Sequence, residues 1–410
     1  MLFPEALAKL TASSEFKASG GWMLGAAKGI IRHEDVDLYI ATVSPLVTDF
    51  TIIEGEYITY FIRPQSKFKK TDSNNDQFGW SYINSYVKPD VVHIHGTEYE
   101  HGYNFMQSCG VDNVVVSIQG LVSACGNYYH KGMSNLDIFL NLTLRDIIKG
   151  GVWRQKQTFI NSGKQEVRML RLAQNVIGRT SWDKERMWAI NPTAQYFFCN
   201  ETLRDEFYDG SLWDYSKCKK HTIFLSQASY PIKGLHQLLK AMPLILKHYP
   251  DTTIRIAGND IISRRRFIDY IRYTGYGKYL NKLIKQFKLT DKITFTGCLN
   301  ADEMKEEYLA ANVFVCPSSI ENSPNSLGEA QILGVPCVAS YVGGVPDMML
   351  GCEDKLYRYE EVEMLAYKIC QVFENQKTPD IGVVNSAMKR HDPSINSDVL
   401  YGIYNNIIKR

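Results

Sequence analysis

The sequence predicts an α/β protein of two domains, and three observations carry that expectation. Its 410 residues exceed what one ordinary hydrophobic core accommodates. Residues 313–348 read as strand, loop, helix, strand: the apolar run VFVC, a break at Pro317, a helix with Leu327, Ala330 and Leu333 on one face, a stop at Gly334, and the buried run VPCVAS. Between Asp214 and Lys220 the composition turns from linker to strand, and HTIFLSQAS opens a second β/α unit.

Composition narrows the function. With 45% hydrophobic and 22% charged residues the chain is of ordinary soluble globular type. No apolar stretch reaches the 18 or so residues that span a bilayer and no secretory signal is evident, so a cytoplasmic protein is expected. A net charge of +2 lacks the field of a general nucleic-acid binder. The nine cysteines form no C-x-x-C pair, and Cys316 and Cys337 sit in apolar runs, which points to buried thiols rather than zinc ligands.

Taken in order, the chain begins unusually. No apolar run of four to eight residues precedes Gly20 and Gly21, although a doubly wound sheet opens with a central strand before its glycine loop. The native first strand is therefore expected to be missing. Residues 22–31 read as the first helix, VDLYIATV as a strand, and further strands follow around 50–53 and 57–62. Asp35 and Asp37 form a D-x-D string, but ahead of a strand, where solvated side chains are the plainer reading than a metal site. VVHIHG is a strand that sets His93 and His95 on one face, a pattern that superficially suggests metal ligation. At the carboxyl end of a strand these rings are better placed to hydrogen-bond a substrate. VVVSIQG is another strand, ending at Gln119. Residues 129–172 are helical in character and rich in bases, and Arg179 follows a short strand, where it either faces a cleft or pairs with a nearby acid. In the second half, TTIRIAGND, DKITFTG and VFVC alternate with helices, and residues 360–375 and 396–409 close the chain as two more.

The richest stretch lies around SIENSPNSLGEA. Ser323 before Pro324 suits an N-cap followed by proline at the first helical position. Glu321 precedes the helix and Glu329 lies about 7–8 Å along it. Between the two carboxylates the first-turn N–H groups form an anion site. Two isolated Glu residues would be equally well explained as a solvated helix face.

The surrounding string decides between these. Glu321, seven intervening residues and Glu329, followed by GVPCVAS and VGGVP, resemble the E-x7-E element of retaining, group 1 glycosyltransferases of the GT-B fold. VIGRTSWDKERMWAINPTAQYFFCNETLRDEFY resembles a stretch of bacterial capsular and exopolysaccharide enzymes. The resemblance implies two doubly wound Rossmann-like domains with a cleft between, residues 1–215 on the acceptor side and 216–390 on the donor side, with 391–410 a helix crossing back to the first domain. It also implies transfer of a sugar, of hexosyltransferase type and with retained configuration, from a nucleotide diphosphate sugar to a hydroxyl of a lipid-linked or other glycan, with no metal or other cofactor.

By position, the resemblance carries donor binding to Gly20, Gly21, Lys233, Ser323, Asn325, Ser326, Leu327 and Glu329. Glu321 and Lys233 would serve catalysis, with Gln119 and His95 on the acceptor side and Arg179 in the cleft. Two departures stand out: Gln119 where many relatives carry His, and Ala228 where they carry the second phosphate-binding cation, an Arg. They leave open a catalytically weak subunit that binds the donor or a partner; an epimerase on the same fold is disfavoured by the E-x7-E string. A lipid-linked acceptor would call for peripheral contact with the membrane, for which two basic and aromatic clusters offer themselves. One holds Arg63, Lys67, Lys69 and Lys70 with Phe61 and Phe68, and the other runs from Trp153 to Arg171.

Overall fold

The computed structural model describes residue 6 and residues 9–10, 21–65, 73–264 and 267–409. Residues 222–357 form one parallel sheet of six strands: β8 (Thr222–Leu225), β9 (Thr253–Ile256), β10 (Ile293–Phe295), β11 (Val313–Cys316), β12 (Cys337–Ser340) and β13 (Leu356–Tyr357). The order is β10-β9-β8-β11-β12-β13, the doubly wound arrangement. β8, β11 and β12 are buried along their whole length because helices cover both faces, which is why they read as unbroken apolar runs. The winding reverses between β8 and β11, so the loops leaving their carboxyl ends part and open a crevice.

Among the described residues the first half holds seven strands in two sheets. β4 (Val92–His95), β5 (Val114–Ser117), β6 (Asn175–Gly178) and β7 (Gln195–Phe198) are parallel and adjacent in that order. β1 (Leu38–Ser44) pairs in parallel with β3 (Ile58–Pro64), and β2 (Thr51–Glu54) joins β3 antiparallel. Among the described residues no strand joins β1 to β4. The segment expected to lack a first strand lies almost wholly outside the described residues, as does Gly20.

The helical stretch expected over 129–172 is three helices, Asn135–Leu140, Leu144–Lys149 and Gly151–Leu172. Gly150, in the left-handed region at φ 90°, turns the chain from the second into the third. The helix Ile381–Arg390, not anticipated, precedes the terminal helix Pro393–Ile408. Leu400, Ile403 and Ile407 of that last helix pack on Ile30, Val115 and Ile177 of the first half. Among the described residues no helix is long and apolar enough to cross a membrane. Of the first basic cluster, Phe61 is core and Arg63 lies over the Trp80 ring at 4.9 Å, so neither is free surface; Lys67, Phe68, Lys69 and Lys70 lie outside the described residues.

Candidate active site

The loops after β8 and β11 meet at the crevice. Ile232 accepts the Ser319 N–H at 2.8 Å, and Gly234, at φ 71°, passes so close to Pro317 that a Cβ there would stand 1.7 Å from the Pro317 carbonyl oxygen. This approach fixes Lys233 opposite Glu321. Lys233 Nζ donates to Glu321 Oε1 at 2.6 Å, and Ser318 Oγ donates to the same oxygen at 2.7 Å. Burial opposes the Lys233 charge, but the Glu321 carboxylate and the Tyr230 hydroxyl outweigh it and hold the pKa above the ordinary lysine value. The GGVPD string has a matching backbone role: Gly344 N–H donates to the Glu321 carbonyl at 3.1 Å, and a Cβ on Gly343 would strike that carbonyl.

The helix beyond spans Asn325–Ile332, with Pro324 at the N-cap and no side-chain cap. This corrects the expected Ser323 cap: Ser323 Oγ turns instead to Met348 Sδ at 3.6 Å, and the proline stands one position earlier than its usual first-turn place. An uncapped first turn leaves N–H groups that favour an anion. Leu327 is corrected as well. Its side chain is buried in the core with Phe224 and Phe314, and its N–H is used by the Pro324 carbonyl, so it offers a ligand nothing. Ser326 is half-buried at the helix start, its carbonyl bonded to the Tyr308 hydroxyl.

Glu329 is buried rather than solvated. One of its oxygens accepts from Arg204 Nη2 at 2.8 Å and Nε at 2.9 Å, the other from the Tyr308 hydroxyl at 3.3 Å. Burial raises its pKa, against the opposing pull of Arg204 and Tyr308. Nothing in the sequence pattern marked Arg204, which lies 125 residues away.

The first half supplies the facing wall through the ends of β4, β5 and β6. A small cavity, open to solvent at its mouth, is lined by Trp22, His95, Gln119, Arg179, Glu201 and Asn396 among others. His95 stacks on His93 at 3.8 Å, and His93 is held by Tyr404 and Ser117 at 2.7 and 2.6 Å. Desolvation lowers the His95 pKa to about 4, so the ring is neutral at pH 7. Arg179 lines this cavity and pairs with an acid, Glu201, at 2.6 Å. Gly21 opens the helix Gly21–Ile30 rather than lying in a loop before it, which corrects the expected glycine loop at that residue.

The cavity walls include neither Lys233 nor Glu321; two asparagines bridge the groups. Asn325 donates to Glu201 Oε2 at 3.0 Å. Asn322, buried between the halves, accepts from Thr180 Oγ1 at 2.7 Å and donates to Asp183 at 2.9 Å and to the Gln119 carbonyl at 3.2 Å. At this junction four buried polar atoms have no partner among the described residues: Arg179 Nε, Glu201 Oε1, Asn325 Oδ1 and His391 Nε2. Buried polar groups are rarely left so, and the cluster marks a place for water or ligand. Among the described residues no group of three or more His, Cys, Asp or Glu could hold a metal ion.

Residues 215–382 match the model of the family described as glycosyl transferases group 1. An uncharacterized glycosyltransferase of Methanocaldococcus jannaschii is 30% identical over 79% of this chain and 77% of its own. The chain belongs to the group 1 glycosyltransferases. Solved structures share the GT-B fold of this glycosyltransferase. Sucrose-phosphate synthase of Thermosynechococcus elongatus superposes with a TM-score of 0.69 at 16% identity, covering 94% of this chain and 92% of that one. HepE of Anabaena in complex with UDP-glucose gives 0.62 at 15%, covering 95% and 97%. In this glycosyltransferase Ala228, at the position of the expected second cation, is buried in the core with Ile232.

Proposed function

We propose that this glycosyltransferase moves a sugar, with retention, from a nucleotide diphosphate sugar to a hydroxyl of a lipid-linked glycan in cell-surface polysaccharide biosynthesis, working at the inner face of the cell membrane. The observation that carries the reading is the Lys233–Glu321 pair beside the uncapped start of Asn325–Ile332, with Glu329 on the same helix. Residues 1–215 are taken as the acceptor side, 216–390 as the donor side, and 391–410 as returning to the first.

The departing diphosphate gains its negative charge between Lys233 and the N–H groups of Asn325 and Ser326, which supply fixed electrostatic stabilisation without a metal ion. Glu321 holds the sugar hydroxyls, and its charge lies near the oxocarbenium-like carbon. Glu329 takes the ribose hydroxyls, sharing its carboxylate with Arg204. Gln119, His95 and Arg179 bound the acceptor side, where neutral His95 serves as a hydrogen-bonding partner and a weak base. The UDP-glucose bound by HepE supports starting the search with uridine donors.

The test is a thermal-shift panel of nucleotide sugars, where ligand at 100 times its Kd adds about 2.7 kcal/mol, followed by proton NMR of the product. Binding, turnover and a retained anomer are expected. No binding overturns the donor reading, and an inverted anomer overturns retention. Ala228 and the occupied Glu329 favour a second reading, a donor-binding subunit, which predicts binding without turnover until a partner protein is added.

A further inference from the structure

Two short helices carry their apolar faces outward. Asn135–Leu140 sets Leu136, Phe139 and Leu140, and Leu144–Lys149 sets Leu144, Ile147 and Ile148, at the i, i+3, i+4 spacing that ordinarily seats a helix in a core. All six are exposed, between 55% and 74%, while Ile138, Asn141 and Asp146 turn inward. The arrangement is built in rather than frayed. Capping boxes at Ser134 with Asp137 and at Thr143 with Asp146 start both helices. Thr143 Oγ1 donates to the Tyr273 carbonyl at 2.9 Å, and Lys278 Nζ donates to the Leu142 and Leu140 carbonyls at 3.2 and 3.3 Å, tying the pair to the second half of the chain. The neighbouring helix Phe267–Arg272 adds exposed Tyr270 and Ile271.

The rim is basic. Lys149, Arg154 and Arg272 are exposed and Arg145 is half-buried, whereas Asp137 and Asp146 are engaged as caps and Asp269 is half-buried with a partner of its own. A contiguous apolar patch of this size on a soluble chain marks an interaction surface. We propose that this face docks on anionic membrane lipid: the leucine, isoleucine and phenylalanine side chains enter the acyl boundary while the rim cations meet headgroup phosphates. Pairing with a second copy across a two-fold axis would set the basic rim against itself. The chain that leads into the first of these helices touches the candidate active site: Ser319 Oγ, in the loop leading to Glu321, donates to the Tyr128 carbonyl at 2.8 Å. The inference rests on the membrane-side reading above, to which it adds the surface. Its test needs neither donor nor acceptor, so the two can fail separately.

The test is sedimentation of the full chain with vesicles of phosphatidylcholine alone and with phosphatidylglycerol added, at low and high salt. Three variants are compared with wild type: Leu144→Ser/Ile147→Ser/Ile148→Ser, Lys149→Gln/Arg154→Gln/Arg272→Gln, and the control Trp188→Ser at an exposed residue on another helix. Because every substituted side chain is exposed, unchanged melting temperatures are expected, with Phe139→Ser as a milder replacement for the apolar triple. Wild type and Trp188→Ser should bind the anionic vesicles alike. The apolar triple should lose about tenfold or more in affinity, and the charge triple should bind more weakly and lose its salt dependence. Absence of vesicle binding, or binding that both triples retain, overturns the proposal. So does a dimer in sedimentation equilibrium that only the apolar triple dissolves, since the face would then be a subunit contact.

Discussion

Lys233 and Glu321 satisfy each other in the free protein, so under the proposed function a bound diphosphate would become the lysine's new partner and Glu321 would turn to the sugar. That exchange separates the roles of the two carboxylates. Glu321→Gln should lower kcat by tenfold or more and leave nucleotide Kd within about twofold, because its charge is wanted near the reacting carbon rather than at the base. Glu329→Ala should weaken binding of free nucleoside diphosphate by about 1–3 kcal/mol, the usual worth of charged hydrogen bonds. Arg204 keeps access to solvent, so losing its carboxylate partner should move the melting temperature little. Calorimetric titration with steady-state kinetics reads both. Equal, small effects from the two variants would return these residues to an ordinary structural role.

The element that matters most is the loop pair at the crossover between β8 and β11. Gly234 makes it possible, since its left-handed backbone and its closeness to Pro317 exclude any side chain. Gly234→Ala should cost about 1–3 kcal/mol for the backbone conformation alone, and more for the clash. Because relief means moving Lys233 away from Glu321, donor binding should suffer beyond the stability loss. Denaturant titration measures the first effect and donor titration the second. A variant with wild-type stability and wild-type donor affinity would show that the close approach is not what positions Lys233.

The halves of the molecule are stitched by buried polar contacts, and one of them makes stability depend on pH. His236 in the second half hydrogen-bonds the Lys131 carbonyl of the first at 2.8 Å and the Tyr276 hydroxyl at 3.2 Å. Burial lowers its pKa to about 3, and that of His391 to about 4. In the unfolded chain both take a proton near pH 6.5. Between there and the folded values the unfolded state binds more protons, so stability falls as pH falls, by up to about 1.4 kcal/mol per pH unit for each histidine. Denaturant midpoints measured from pH 7 to pH 4.5 should decline, and His236→Gln, which keeps a donor for the carbonyl, should flatten the slope. An unchanged slope in the variant would place the acid sensitivity elsewhere.

The contiguous string from Glu321 to Asp347 was legible in the sequence because its chemistry is local: strand, loop and helix follow one another, and the glycines sit where the backbone needs them. The buried strands of the second half were legible for a similar reason, since parallel strands covered on both faces are apolar throughout. What Arg204, Glu201 and Asn322 do was decided only by the tertiary structure, because each pairs with a residue more than 100 positions away or is wedged between halves. Folding also overrode local preference at Ser323, drawn to Met348 instead of capping its helix. The sequence marked residues 129–172 as helical and basic but could not say that the short helices Asn135–Leu140 and Leu144–Lys149 turn their apolar stripes outward. A stripe records which side chains lie together, and only the packing of the rest of the chain determines whether water or protein covers them.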